Sequence, residues 1–150
     1  MQPEPTKLYA GTFERSMDAK KRVAVPSGWL QKKEGEEFYV LPHPGGEYLI
    51  VMPPGELMNW GPKFQARDGV SAAEMRTAER RFFAAAHRVA TDSQGRILVP
   101  EEHCEPLGLK GPVVFIGGRN RFELWEKDRY ARSMAQSDDS YRKIAEEIGL

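Results

Sequence analysis

Met17-Asp18-Ala19-Lys20-Lys21-Arg22-Val23-Ala24-Val25-Pro26 and Thr91-Asp92-Ser93-Gln94-Gly95-Arg96-Ile97-Leu98-Val99-Pro100 are the same sentence written twice. Both read Asp-x-x-x-Arg-(apolar)₃-Pro, and the offset is constant, since 92 − 18 = 96 − 22 = 100 − 26 = 74. Self-similarity at a fixed offset changes every later inference about the fold. Carried downstream without a gap, the same register lays Phe38-Tyr39-Val40-Leu41 on Pro112-Val113-Val114-Phe115. It also lays Tyr48-Leu49-Ile50-Val51 on Phe122-Glu123-Leu124-Trp125. Each copy therefore reads as a β-rich module: a strand into Asp, a tight turn, a strand ending at Pro, a connection, then a hairpin of two apolar runs. Gly45-Gly46 and Gly117-Gly118 stand where those hairpins turn, and glycine reaches positive φ without a Cβ clash. A unit of a few short strands buries too little apolar surface to fold alone, whereas two copies in one chain can share a core.

Between the copies the pattern changes to helix. Ser71 and Glu74 have N-cap and capping-box spacing, and residues 72–86 are rich in Ala, Glu, Met and Arg. A shorter helix is expected after Pro53-Pro54, over residues 55–60, with a counterpart over residues 126–132. Tyr141, Ile144, Ala145 and Ile148 stand at helical spacing and predict a separate short amphipathic helix or loosely docked tail at residues 137–150.

The chain has 150 residues, 40% of them hydrophobic and 29% charged, the composition of a folding, globular protein. Its longest apolar runs, such as Val113-Val114-Phe115-Ile116, fall far short of the roughly 20 residues that cross a bilayer. The first residues, Met1-Gln2-Pro3-Glu4-Pro5-Thr6, have neither a basic nor an apolar region of secretory type. A single cysteine, Cys104, fits a reducing compartment. These features together predict a cytoplasmic protein with no membrane partner. Twenty-two basic residues balance 22 acidic ones, so any attraction to a polyanion must come from charge segregated locally.

The turn is where that segregation occurs. In Asp-x-x-x-Arg across a tight β turn, the Asp side chain can accept bonds from turn N–H groups while the Arg leaves onto one face. Arginine is always charged, and its planar fork pairs with phosphate or with guanine O6/N7. Arg15, Lys20, Lys21 and Arg22 stand against Glu14 and Asp18 around the first turn; Arg88 and Arg96 stand against Asp92 around the second. The main contact surface for DNA is therefore expected on the first copy, with Asp18, Asp92 and Gly95 shaping the turns. A purely structural alternative stays open: Asp18–Arg22 and Asp92–Arg96 as ion pairs that fix a hairpin. Exposed pairs of that kind contribute about 0–1 kcal/mol, so stability alone gives little reason to find both members in both copies.

Several blocks together resemble the MraZ family. They are Tyr9-Ala10-Gly11, the segment from Asp18 to Pro26, Arg81-Phe82-Phe83, the segment from Asp92 to Pro100, and the segment from Gly118 to Trp125, in order and spacing over about residues 8–132. The resemblance implies a mainly β protein with accessory helices, an α+β fold of the AbrB/SpoVT superfamily. Two AbrB-like repeats, residues 8–60 and 87–134, would form a pseudo-symmetric swapped-hairpin barrel, joined by a helical region at 61–86 and followed by a C-terminal helix or tail at 135–150. It further implies a nucleoid-associated transcriptional regulator, a repressor of the division and cell-wall gene cluster. Such a regulator binds short direct repeats of double-stranded DNA upstream of its own gene as a ring-shaped homo-oligomer, an octamer or dodecamer. The family's DNA-contacting arginine falls on Arg22, with Lys20 at the neighbouring basic position. The chain departs from the family pattern at Lys21, where glycine is usual, at Ala10 before Gly11, and at Ala85. If the first turn needs positive φ at residue 21, lysine there costs about 1–2 kcal/mol; alternatively it adds a phosphate contact.

Other constellations are weak. Glu101-Glu102-His103-Cys104-Glu105 holds metal-ligand residue types without metal-ligand spacing, so neither metal nor cofactor is expected, and His103 and Cys104 read as packing or surface residues. His43 and His87 have no sequence partners that suggest catalysis. Gly117-Gly118-Arg119-Asn120 lacks the Lys-Ser/Thr of a phosphate loop, and no Gly-x-Ser-x-Gly elbow occurs. Phe82, Phe83, Trp125 and Tyr130 read as core or interface aromatics, and Trp29 and Trp60, with polar neighbours, as candidates for a subunit interface. An enzyme is therefore not expected. The competing classes are a non-DNA oligomeric scaffold on the same fold and an AbrB-like antitoxin, the latter disfavoured by the second copy and the central helix.

Overall fold

Alternation of apolar and polar residues decides the outer strands. In β1 (Thr12–Met17) the residues Phe13, Arg15 and Met17 turn inward while Thr12, Glu14 and Ser16 stay exposed, the period of two that one covered face demands. The computed structural model describes residues 7–150. After β1 come β2 (Arg22–Ala24), a single 3-10 turn at Ser27–Trp29, and the hairpin of β3 (Glu37–Pro42) and β4 (Leu49–Met52). Next are α1 (Pro54–Met58), a second 3-10 turn at Gly61–Lys63, and α2 (Ala72–Ala85). The second half repeats the order with β5 (His87–Ala90), β6 (Arg96–Leu98), α3 (Glu101–Cys104), a 3-10 turn at Glu105–Leu107, β7 (Gly111–Gly117), β8 (Phe122–Glu126) and α4 (Lys127–Glu147). The fold is mixed α+β, built mainly on antiparallel sheet.

Six strands form one sheet in the order β1-β7-β8-β4-β3-β5, every neighbour antiparallel, and β2 pairs with β6 in a separate two-stranded ribbon. The pairing crosses between the halves of the chain. β1 runs along β7, Thr12 opposite Ile116, and β5 runs along β3, Ala90 opposite Glu37. The two hairpins meet where β4 joins β8, Leu49 opposite Leu124 and Val51 opposite Phe122. All four residues of β4 are buried because the sheet is covered on both faces there, and such a strand reads as an unbroken apolar run. One face joins the main core of Tyr9, Trp29, Phe38, Phe115 and Phe122; on the other, Leu41, Ile50 and Met52 lie against Leu57, with Phe82 and Phe83 of α2 packed alongside.

Trp29, an expected interface residue, belongs to this core. It is 4% exposed, its Nε1 donates to the Ala10 carbonyl at 3.2 Å, and its ring meets those of Tyr9, Phe13, Phe115 and Phe122. Its polar neighbours Gln31, Lys32 and Lys33 are exposed, and the 3-10 turn aims the indole inward. Trp60 remains half-buried on the α2 side.

The two hairpin glycine pairs differ in purpose. Gly46 has φ +77° as expected, but in the β7–β8 turn the positive φ falls on Arg119, at +78°, and on neither Gly117 nor Gly118. Gly117 is needed for close approach instead. A Cβ there would lie 2.5 Å from Ala10 Cα and 2.6 Å from the Tyr9 carbonyl oxygen. The backbone of residues 9–11 runs directly over the turn, Gly117 N–H donating to Gly11 at 2.9 Å and Tyr9 exchanging two bonds with Arg119.

α2 starts as its capping residues predict: Ser71 Oγ accepts from Glu74 N–H at 3.1 Å. The expected break between residues 126–132 and 137–150 does not occur. α4 is one helix of 21 residues, because Ser133, Met134, Ala135 and Gln136 include neither Gly nor Pro and propagate the turn already started. The Glu126 side chain caps it by accepting from the N–H groups of Asp128 and Arg129. Among the described residues no helix is long and apolar enough to cross a membrane.

Candidate nucleic-acid interface

Two Asp-x-x-x-Arg turns are built bond for bond alike. Asp18 N–H donates to the Arg22 carbonyl at 3.0 Å, and Lys21 N–H donates back to the Asp18 carbonyl at 3.0 Å. Asp18 Oδ1 accepts from Lys20 and Arg22 N–H at 3.0 and 2.8 Å, and Oδ2 accepts from Arg22 Nε at 2.8 Å. In the second turn Asp92 Oδ1 accepts from Gln94 and Arg96 N–H at 2.8 and 3.0 Å, and Oδ2 accepts from Arg96 Nε at 2.9 Å. Each carboxylate organises its own turn and fixes one edge of the arginine. The terminal nitrogens of both guanidinium groups have no partner among the described residues.

The turns meet through the β2–β6 ribbon, in which Arg22 stands opposite Leu98, Val23 opposite Ile97 and Ala24 opposite Arg96. Val23 and Ile97 are 1% and 0% exposed and point into the core. Alternation then places Arg22, Ala24, Arg96 and Leu98 on the opposite, outward face. The two arginines are offset by two residues along the ribbon, about 7 Å at the rise of an antiparallel strand. Leu98 is 57% exposed on the same face and was passed over in the sequence, because a three-residue apolar run conceals which member points out.

Lys20 sits exposed at the tip of the first turn. Lys21 has φ +67°, matching Gly95 at +75°, so the first turn keeps its geometry and the lysine carries the strain. Its Nζ donates to the Leu109 carbonyl at 3.0 Å and is thereby drawn back onto the protein. Lys21→Gly should therefore raise stability by about 1 kcal/mol, read as a higher urea midpoint. Gly95→Lys should lower it, since a Cβ there also meets Leu30 Cδ1 at 3.3 Å.

The remaining expected contact residues lie elsewhere. Arg15 is on β1, on the side of Phe13 and Met17; its guanidinium stands 5.6 Å from the Phe13 ring centre, and one terminal nitrogen donates to the Glu14 carbonyl at 2.7 Å. Arg88 is on β5 and forms an ion pair with Glu37 of β3, away from the ribbon.

Backbone N–H donation from Arg22 holds the Asp18 carboxyl below the ordinary aspartate value of 3.8, aided by the Arg22 guanidinium and by Lys20 N–H. Arg96 and Gln94 do the same for Asp92. A carboxyl depressed in the folded state stabilises it fully above the unfolded pKa, and that contribution is lost as pH falls through the folded value. Urea midpoints should thus hold steady from pH 7 to about 5 and drop below about pH 4. In an Asp18→Asn, Asp92→Asn double variant the acid drop should be visibly smaller; an unchanged drop would assign it to other carboxylates.

Around the acidic stretch of α3, Cys104 is buried, its Sγ faces the Val99 carbonyl at 3.9 Å, and burial pushes its thiol up to about 11. His103 Nε2 lies 3.0 Å from the Ala85 carbonyl. No group of three or more His, Cys, Asp or Glu side chains among the described residues could hold a metal ion.

Known proteins resemble this chain along nearly its whole length. A family model described as "MraZ protein, putative antitoxin-like" matches residues 82–149. A protein of Symbiobacterium thermophilum named "Transcriptional regulator MraZ" is 32% identical over 140 residues, covering 93% of this chain and 99% of the relative. Proteins of the same name from Acetivibrio thermocellus and Lachnoclostridium phytofermentans are 32% and 31% identical, over 95% of this chain and 98% and 99% of theirs. With two matching turns, a shared core and relatives aligned from end to end, the chain belongs to the MraZ family.

Proposed function

We propose that the protein is a sequence-specific DNA-binding transcriptional regulator, a repressor in the cytoplasm and at the nucleoid, and not an enzyme. The observation that carries this is the β2–β6 ribbon, with Arg22 and Arg96 on one outward face and rigid turns at both ends. A major groove admits a two-stranded ribbon, and arginine forks read guanine edges or grip phosphate there. Lys20, Lys21, Arg22 and Arg96 against Asp18 and Asp92 leave a local excess of two positive charges on a chain whose net charge is zero. Arg22, beside the exposed Lys20, is the principal contact; Arg96 is secondary, and Arg15 and Arg88 contribute at the periphery. The relatives' name, transcriptional regulator, agrees with this assignment.

The exchange of β1 and β5 between the halves supports a swapped-hairpin barrel made from repeats at 8–60 and 87–134. One such ribbon is a modest binder. A ring, octameric or dodecameric, presents several ribbons to successive direct repeats upstream of the division and cell-wall genes, and linkage raises avidity by roughly 10²–10⁴-fold without a new contact. Mobility shifts on duplexes carrying one, two and three copies of the upstream repeat test this. Affinity should climb by at least tenfold with each added copy at native spacing. Equal affinity for all three would contradict the multivalent mode.

A further inference from the structure

Two surfaces of this chain are left without a partner, and they match. α4 is anchored at its start, where Lys127 bridges to Glu14 and Tyr130 packs on Trp125 at 5.6 Å. Tyr141 lies about 21 Å further along at 1.5 Å per residue. From there Tyr141, Ile144 and Ile148, at i, i+3 and i+7, form one apolar stripe exposed by 63%, 53% and 75%. Asp138 and Glu147 border that stripe on the helical wheel, and Asp138 is bridged only by the exposed Arg142 of the same helix, at 3.6 Å, a pair that docking would exchange. The second surface is a groove of about 800 Å³ between α2 and the β3–β4 hairpin, floored by Ile50, Trp60, Phe64 and Phe82 and flanked by Arg81 and Arg121. Neither arginine has an acidic partner among the described residues; Arg121 and Lys63 lie instead over the Trp60 ring at 5.4 and 4.2 Å.

We infer that the stripe of α4 from one copy docks into the α2 groove of the next, with Asp138 and Glu147 facing Arg81 and Arg121. Apolar stripe meets apolar floor and acidic flanks meet basic rim, on surfaces that a monomer leaves in water. Groove and stripe are different patches, so the contact is head-to-tail and closes into a ring when the rotation between copies permits. This inference rests on the oligomeric part of the proposed function and supplies its joint.

The test is sedimentation velocity on the full chain and two variants altered only at exposed positions of α2, of α4 and of the residue that caps α4. Ile144→Asp with Ile148→Asp breaks the stripe; Ala78→Glu with Arg81→Glu breaks the groove. Wild type should sediment as a closed oligomer and each variant alone as the 17.0 kDa monomer. An equimolar mixture should give a 1:1 dimer, since one variant keeps its groove and the other its stripe. A monomeric wild type would overturn the ring itself along with this joint. An oligomeric wild type whose assembly survives either variant, or a mixture that stays monomeric, would overturn the joint alone and give the groove to another segment or to a small apolar anion.

Discussion

Arg22→Ala should reduce affinity for the upstream repeats by roughly 5- to 150-fold per contact, the loss of one bidentate arginine at about 1–3 kcal/mol. The loss multiplies when every ribbon bound to a set of repeats carries the change, so specific binding should collapse to the nonspecific level. The fold should survive. Asp18 keeps its bonds from Lys20 and Arg22 N–H, which no side-chain change removes. What is lost is a part-exposed ion pair at 2.8 Å, a contribution of about 0–1 kcal/mol. Sedimentation and urea midpoint should therefore match wild type while anisotropy on the repeat duplex does not. Arg22→Lys separates charge from fork: it should retain nonspecific binding and lose preference for the repeats, because an ammonium cannot make the planar pair. Arg96→Ala should weaken binding less than Arg22→Ala, since the second turn carries the neutral Gln94 at the position where the first carries Lys20.

Trp29→Ala should be the most damaging single change to the fold, costing about 3–5 kcal/mol. Stability of a domain this size is about 5–15 kcal/mol, so the variant would sit at the edge of folding. The indole joins four other aromatic rings from β1, β7, β8 and the N-terminal segment, and its Nε1 ties the Ala10 backbone to the core. Truncation opens a cavity where both halves of the chain meet, and neither half can close it alone. Urea denaturation followed by circular dichroism measures the loss; a change under about 1 kcal/mol would mean that the core does not depend on this contact. Trp60→Ala, at a half-exposed position, should cost clearly less.

What the sequence made legible was local. Asp18 and Asp92 fix their turns through bonds spanning four residues, so the motif carries its own geometry. Ser71 and Glu74 mark the start of α2 in the same short-range way. Partnership between strands was not legible, because no short-range signal says that β1 pairs with β7 or β2 with β6. For the same reason the ion pair of Arg88 with Glu37 was not legible, since the two meet only after β5 has paired with β3. It also hid Gly117, whose missing Cβ matters only because Ala10 crosses it. The same limit applied to the site. Four basic residues could be nominated around the first turn and two around the second, but only the ribbon register puts Arg22 and Arg96 on one face, and only the folded chain draws Lys21 back toward Leu109.

Fluorescence anisotropy of the wild-type protein, on a duplex from upstream of its own gene and on a shuffled duplex across a salt series, measures the central claim directly. The ribbon account predicts a preference of about 10³-fold or more for the upstream duplex, with affinity falling steeply as salt rises. Equal, weak binding to both duplexes at every salt concentration would contradict it and leave the two turns as structural hairpins of a protein scaffold.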